Sequence, residues 1–378
     1  MSEISQFIYF DNNATTKVDS RVLDAMMPFL IRDFANPHSA HDFGNEVMKA
    51  VEHAREQVAD LIGAESKEII FTSGSTEAIN IALKGVAELN TYKGKHIIAV
   101  LTEHHAVLDT CKHLETKGYE VTYLDVCDTG IVDLDELKAS LRSDTILVCA
   151  MYVNNETGVI QPIKEIASLV KTTQAYFFSD ATQAAGRTEI NIDDLGVDFL
   201  CISGHKLHAP KGIGALYVKS GIKLPTYTHG GGQEKGLRSG TLNVPGIIAL
   251  GVACELCKKE MREDANRISQ LRDKLERALL QIPGTSVNGS KERRVYNTTN
   301  ICFKRNDANV LIGRMGNIAV SNGSACTSAI VEPSHVLTAM GLSDEDAFAS
   351  IRFSLGRFNT ESEVEVVIKT INELIQTN

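Results

Sequence analysis

Two residues stand out for the chemistry their types and surroundings permit. Lys206 lies in Ser203-Gly204-His205-Lys206, just past the apolar run at 199–202. A lysine there is poorly placed as a solvated surface charge. It can form a Schiff base once its surroundings lower its pKa. The competing reading is a surface lysine in a Gly-rich turn. Cys326 lies in Ser321-Asn322-Gly323-Ser324-Ala325-Cys326-Thr327-Ser328-Ala329. A buried structural cysteine is expected among bulky neighbours, and these are small and polar. The pattern reads as an exposed thiol on a mobile loop, nucleophilic once deprotonated, with an inert loop cysteine as the alternative.

Three further features fall where apolar runs end. After 68–71 comes Phe71-Thr72-Ser73-Gly74-Ser75-Thr76, hydroxyls and free backbone N–H groups at a helix start, which suit an anion such as phosphate. A plain Ser/Thr helix cap would use the same residues. After 175–178 comes Asp180, in Ser179-Asp180-Ala181-Thr182-Gln183. A carboxylate fixed there can pair with a protonated ring nitrogen, or simply cap the next turn. After 96–100 comes Thr102-Glu103-His104-His105, in which His104 could lie against a planar ring and handle protons near neutral pH, or serve structurally. Phosphate cradle, ring-nitrogen carboxylate, Schiff-base lysine and stacking histidine are together the parts a pyridoxal 5'-phosphate site needs.

The elements that must position these groups can be read from periodicity. Apolar runs at 68–71, 96–100, 121–124, 145–151, 175–178, 199–202 and 214–218 alternate with helical segments. Strands that are continuously apolar imply a mostly parallel sheet covered on both faces, with ligands at its carboxyl ends. Residues 16–62 read as helical, with apolar positions at helical spacing. A Gly-rich loop at 230–233 ends the alternation. A long helix over about 245–281 leads to short strands at 300–303, 319–321 and 350–355 and a last helix at 361–376. The fold class is therefore α/β, with a large domain over 14–255 and a smaller α+β domain from 1–13 and 256–378.

Composition narrows the class. Across 378 residues, 38 Lys and Arg stand against 48 Asp and Glu, a net charge of −10. That balance argues against a broad nucleic-acid footprint, which needs a basic face. No stretch approaches the length of a membrane span, and the N-terminus lacks the basic and apolar regions of a secretion signal. Eight scattered cysteines in a chain this long fit reduced cytoplasmic thiols. Cys254 and Cys257 form a CxxC within a helical pattern, with no second pair at ligand spacing, so no metal site is expected.

Taken in order, the motifs Tyr9-Phe10-Asp11-Asn12-Asn13-Ala14-Thr15-Thr16, Thr102-Glu103-His104, Val153-Asn154-Asn155-Glu156, Asp180-Ala181-Thr182-Gln183, Ser203-Gly204-His205-Lys206 and Arg238-Ser239-Gly240-Thr241 resemble the cysteine desulfurases of the NifS/IscS type. These belong to the class V aminotransferase group of fold type I pyridoxal-phosphate enzymes. The resemblance spans nearly the whole chain. It implies that Lys206 binds the cofactor covalently, Asp180 pairs with the pyridine nitrogen, His104 stacks on the ring, and Gln183 with Asn155 lies near the ring hydroxyl. Ser75, Thr76, Ser203 and His205 would hold the phosphate. Thr241 would reach it from the other subunit of a homodimer. Cys326 matches the persulfide-bearing loop, Arg352 would clamp the substrate carboxylate, and Asn13 and Asn155 would assist it.

The function so implied is removal of sulfur from L-cysteine, giving L-alanine and a persulfide on Cys326, which a sulfur-acceptor protein then receives. The acceptor could serve iron–sulfur cluster assembly, tRNA thiolation or DNA phosphorothioation. The chain ends at Asn378, short of the C-terminal tail with which IscS-type members dock a scaffold, an expectation that favours NifS-like relatives or other acceptors. The spacing from Cys326 to Arg352 leaves room for a long catalytic loop and direct transfer without an obligatory activator. Two rivals share part of this reading: a selenocysteine lyase or aminotransferase on the same fold, and a non-catalytic relay subunit.

Overall fold

The structure, a computed structural model, describes residues 7–323 and 332–376. Its strands are β1 (Ile8–Tyr9), β2 (Ile69–Thr72), β3 (His96–Val100), β4 (Glu120–Leu124), β5 (Thr145–Cys149), β6 (Tyr176–Asp180), β7 (Phe199–Ser203), β8 (Gly214–Val218), β9 (Thr285–Val287), β10 (Thr298–Phe303), β11 (Ile318–Ala319) and β12 (Ser350–Ser354). Seven of them form one sheet in the order β2-β8-β7-β6-β5-β3-β4. β8 runs antiparallel to both neighbours, and the remaining pairs are parallel. The chain is thus a mixed α/β protein with a mostly parallel central sheet.

Why these strands read as unbroken apolar runs is visible in their burial. Successive residues of β3 enter different cores: Ile98 and Val100 pack into one cluster, Ile97 and Ala99 into another. Both faces of the sheet are covered, so neither parity can be polar. Each of the seven expected runs coincides with a strand to within two residues at either end. Because β2, β3, β6 and β7 point the same way, their carboxyl ends emerge along one edge.

The helical reading of 16–62 is corrected. Helices cover Ser20–Met26, Pro28–Ile31 and Asp42–Ile62, and residues 32–41 are not helical. Pro37 disfavours helix at Asn36, whose Oδ1 instead accepts the His38 N–H at 3.0 Å in a local turn. The helix resumes where the His41 ring accepts the Gly44 N–H.

The helix Val244–Leu279 runs unbroken through 255 and 256. Its first half, with Ile247, Leu250 and Cys254, packs into the core beside the large sheet. Its second half, with Ile268, Leu275 and Leu279, packs into a third core under the small sheet β12-β10-β9. The chain's beginning joins that second region: β1 pairs with β11, and Asp11 bridges Ser354. β9 is a strand that periodicity did not mark, being only three residues long.

Candidate active site

A cleft of about 560 Å³ opens along the edge where β2, β3, β6 and β7 end. Lys206 closes the short turn Gly204–Lys206 directly after β7. Its Nζ donates to the Asn13 and Ala14 carbonyls at 2.6 Å each, so its polar partners are backbone oxygens rather than a carboxylate. Burial pushes its pKa down to about 7. The Arg187 and Arg352 guanidiniums push the same way, against the pull of Asp11 and Asp180. An amine with that pKa is substantially neutral near pH 7, the state in which it is a nucleophile and a base.

Around it stand the other strand-end groups. Asp180 closes β6 and is buried; its Oδ1 accepts the Thr182 N–H at 2.8 Å and the Cys201 S–H at 3.3 Å. His104 caps the helix His105–Glu115, its Nδ1 accepting the Ala106 N–H at 3.0 Å. That bond leaves Nε2 to carry the proton of the neutral ring. The ring is open to the cleft, yet the surrounding protein desolvates it enough to hold it below its usual pKa despite Asp180. At β2 the helix Ser75–Leu89 starts from Gly74, which gives no side-chain cap. The Ser75 and Thr182 hydroxyls meet there at 2.5 Å. Thr76, Ser203 and His205 line the same end of the cleft. His205 Nδ1 lies 3.2 Å from the Thr15 hydroxyl, and burial, with Lys206 and Lys211, pushes its pKa down to about 4.

The facing wall comes from distant parts of the chain. Asn13 Nδ2 donates to the Asn155 carbonyl at 3.0 Å and to the Thr298 hydroxyl at 2.9 Å. Gln183 Nε2 donates to the Asn13 carbonyl at 3.0 Å. Arg352, on β12, is buried. Its Nη2 pairs with Asp11 at 2.6 Å, its Nη1 donates to the Asn155 carbonyl at 3.0 Å, and its Nε–H has no partner among the described residues. An arginine left with an unused donor at a cleft wall suits a carboxylate ligand.

Similarity to known proteins follows the same lines. Residues 8–367 match the family model described as aminotransferase class-V. The chain is 50% identical over 374 residues to the cysteine desulfurase IscS of Mannheimia succiniciproducens, spanning 98% of this chain and 93% of that protein. The chain belongs to the NifS/IscS cysteine desulfurases of the class V aminotransferase family. Among solved structures it resembles a NifS-like protein with a TM-score of 0.94 and 40% identity, covering 99% of this chain and 100% of the other. It also resembles SspA in complex with cysteine, with a TM-score of 0.83 and 36% identity over 93% of this chain and 100% of that one. As a cysteine desulfurase the protein is a pyridoxal-phosphate enzyme.

The residues of the cleft fit that cofactor on their own chemistry. The desulfurase offers an amine of lowered pKa, a buried carboxylate at one strand end, and an uncapped helix N-terminus ringed by hydroxyls. Eleven of the thirteen residues singled out from the sequence line this cleft. Thr241 is exposed and lies outside it, and Cys326 lies outside the described residues.

Other groups at the site, some of them inside the quoted motifs, had no role assigned from the sequence. The Thr182 hydroxyl meets Ser75, and the Cys201 thiol meets Asp180, only through the fold. Glu103 lies beneath the cleft, wholly buried. Its Oε1 accepts the Met151 N–H, its Oε2 has no partner among the described residues, and burial, with Asp180 nearby, pushes its pKa well up. Glu156, buried against Ser334, is pushed up to about 7 by burial. The CxxC pair is buried within the long helix, and burial pushes the Cys257 thiol up to about 11 and Cys254 well up. Metal coordination needs the thiolate, which such burial opposes.

Proposed function

We propose that this desulfurase holds pyridoxal phosphate through Lys206 and passes the sulfur of L-cysteine to Cys326. The observation that carries the reading is the Lys206 amine, bonded to two carbonyls and lowered to about 7, in one cleft with Asp180 and Arg352. When bound, pyridoxal phosphate supplies the electron sink that makes the α-proton of cysteine acidic and weakens its Cβ–S bond. Asp180 would keep the ring nitrogen protonated, and Ser75, Thr76, Ser203 and His205 with the helix N-terminus would hold the phosphate. His104 would support the ring, and Asn155 and Gln183 would hold its hydroxyl. Arg352 binds the substrate carboxylate, with Asn13 and Asn155 fixing the wall behind it.

Lys206 Nζ takes the α-proton of the substrate and can return it. The Cys326 thiolate attacks the substrate sulfur: the Cβ–S bond breaks, an S–S bond forms, and the three-carbon fragment leaves as L-alanine after protonation. Cysteine plus a thiol holds the same atoms and electrons as alanine plus a persulfide, so no outside oxidant or reductant is consumed.

The persulfide goes to an acceptor protein serving iron–sulfur cluster assembly, tRNA thiolation or DNA phosphorothioation. The enzyme works as a homodimer in which Thr241 of one subunit reaches the phosphate bound by the other, consistent with its exposure outside its own cleft. A cytoplasmic setting is supported by the seven described cysteines, all unpaired and six of them buried. No helix of the described residues is long and apolar enough to cross a membrane. We assign the large domain to 14–255 and the small domain to 1–13 and 256–378, supported by the separate core beneath the small sheet. Incubation with L-cysteine and a reductant tests the reading: sulfide and alanine are expected in equal amounts, and full sulfide release by Cys326→Ala would refute the role of that thiol.

A further inference from the structure

Arg187, next to Lys206, is a cation with no ion-pair partner among the described residues. It lies behind Lys206, beside a small cavity of about 30 Å³ that Lys206, Tyr296 and Asp264 also line. Among the described residues it has no carboxylate within ion-pair distance, and Asp264 is taken by Arg357 at 2.8 Å. Its Nη1 donates instead to the Gln183 carbonyl at 3.0 Å and the Gln183 Oε1 at 2.5 Å. Half-buried and with no carboxylate beside it, the guanidinium has its bonds to Gln183 as its charge-assisted contacts.

The geometry of Gln183 shows what those bonds do. Arg187 can only donate, so it fixes the amide oxygen toward itself. The Gln183 Nε2 then faces the Asn13 carbonyl at 3.0 Å, the same oxygen that accepts from Lys206 Nζ at 2.6 Å. We propose that Arg187 is a positioning residue for Lys206: it orients Gln183, which fixes the Asn13 carbonyl that receives the lysine amine, and it holds a positive charge behind that amine. A second cation there favours the neutral amine, the form able to act as nucleophile and base. Consistently, after burial, Arg187 is the strongest of the influences that lower the Lys206 pKa. The other charged groups acting on the amine are Arg352 in the same sense and Asp11 and Asp180 in the opposite one, while His104 and His205 are neutral at pH 7.

The inference rests on Lys206 being the cofactor lysine, and its test is separable from that reading. In cofactor-free protein, competitive acylation of Lys206 across pH, read by peptide mass spectrometry, gives the titration midpoint of the amine directly. Arg187→Met is expected to raise that midpoint by about one pH unit, and Arg187→Lys, which keeps the charge, to leave it within a few tenths. An unmoved midpoint in Arg187→Met overturns the proposal, as does an equal rise in both variants, which would mark general loosening. Should Arg187→Met fail to fold, Arg187→Gln carries the same test, and an unmoved midpoint there overturns it. Retention of the cofactor absorbance by Lys206→Ala would instead overturn the assignment of the lysine, leaving the labelling result to speak for Arg187 alone.

Discussion

The two walls of the cleft are built in opposite ways. On one wall, Ser75, His104, Asp180 and Lys206 each stand at the carboxyl end of a strand of a single sheet, and only the Lys206 amine reaches across, to the Asn13 and Ala14 carbonyls. On the other, Arg352 and Asn13 come from opposite ends of the chain. They are tied by bonds such as Arg352 to Asp11 and the Asn13 N–H to the Ser354 hydroxyl at 2.9 Å. A wall whose backbone is fixed by one sheet keeps its strand-end positions whatever the small sheet does, while the Lys206 amine alone still answers to Asn13. A wall assembled from two distant segments depends on how that sheet and the N-terminal strand pair. The cofactor side is therefore expected to be the rigid part, and the substrate side the part that substitutions can shift alone.

Substitutions on either side test this contrast. Lys206→Ala has the largest expected effect, lowering sulfide release by about 10²–10⁴-fold or more and removing the visible absorbance of the bound cofactor. Arg352→Ala is expected to raise KM for L-cysteine steeply, since cutting one partner from a buried charged pair costs about 2–5 kcal/mol. Cofactor retention, followed by absorbance after gel filtration, should stay as in the parent. Loss of cofactor there as complete as in Lys206→Ala would mean that the walls are not independent.

A subtler effect concerns stability. The Lys206 amine titrates near 7 in the folded protein and near its ordinary 10.5 when unfolded. In cofactor-free protein its burial destabilises the fold fully below pH 7. Between pH 7 and 10.5 the unfolded state binds the additional proton, so this cost fades as pH rises. Lys206→Met should therefore unfold at a higher temperature than the parent at pH 7, with the gap shrinking toward pH 10.5. Smallest is Cys254→Ala, which removes a buried thiol from the large core and should cost on the order of 1 kcal/mol in denaturant unfolding, leaving sulfide release unchanged.

The contrast also explains what the sequence disclosed. Lys206, Asp180 and His104 were legible because each sits where an apolar run stops, and the strand-end position is itself a local signal. The role of Arg352 came only through family resemblance: nothing near Ser350-Ile351-Arg352 shows that Asp11, 341 positions away, would pair with it. Glu103 lay within a recognised motif, yet its burial depends on β3, β5 and β6 meeting. Arg187 carries no local signal, because its influence reaches Lys206 only in three dimensions, through Gln183 and Asn13. In the helical reading of 16–62, the apolar spacing was correct for 42–62 and misleading before it, since Pro37 interrupts a pattern whose apolar residues continue.

In the proposed reaction the sulfur of L-cysteine moves to one particular thiol. Brief exposure of the holoenzyme to one equivalent of L-cysteine, followed by acid quench and peptide mass spectrometry, reads it directly. The peptide bearing Cys326 should gain the mass of one sulfur atom in step with one alanine released. Alanine appearing while that peptide stays unmodified, or the added sulfur residing on the exposed Cys127 instead, would contradict it.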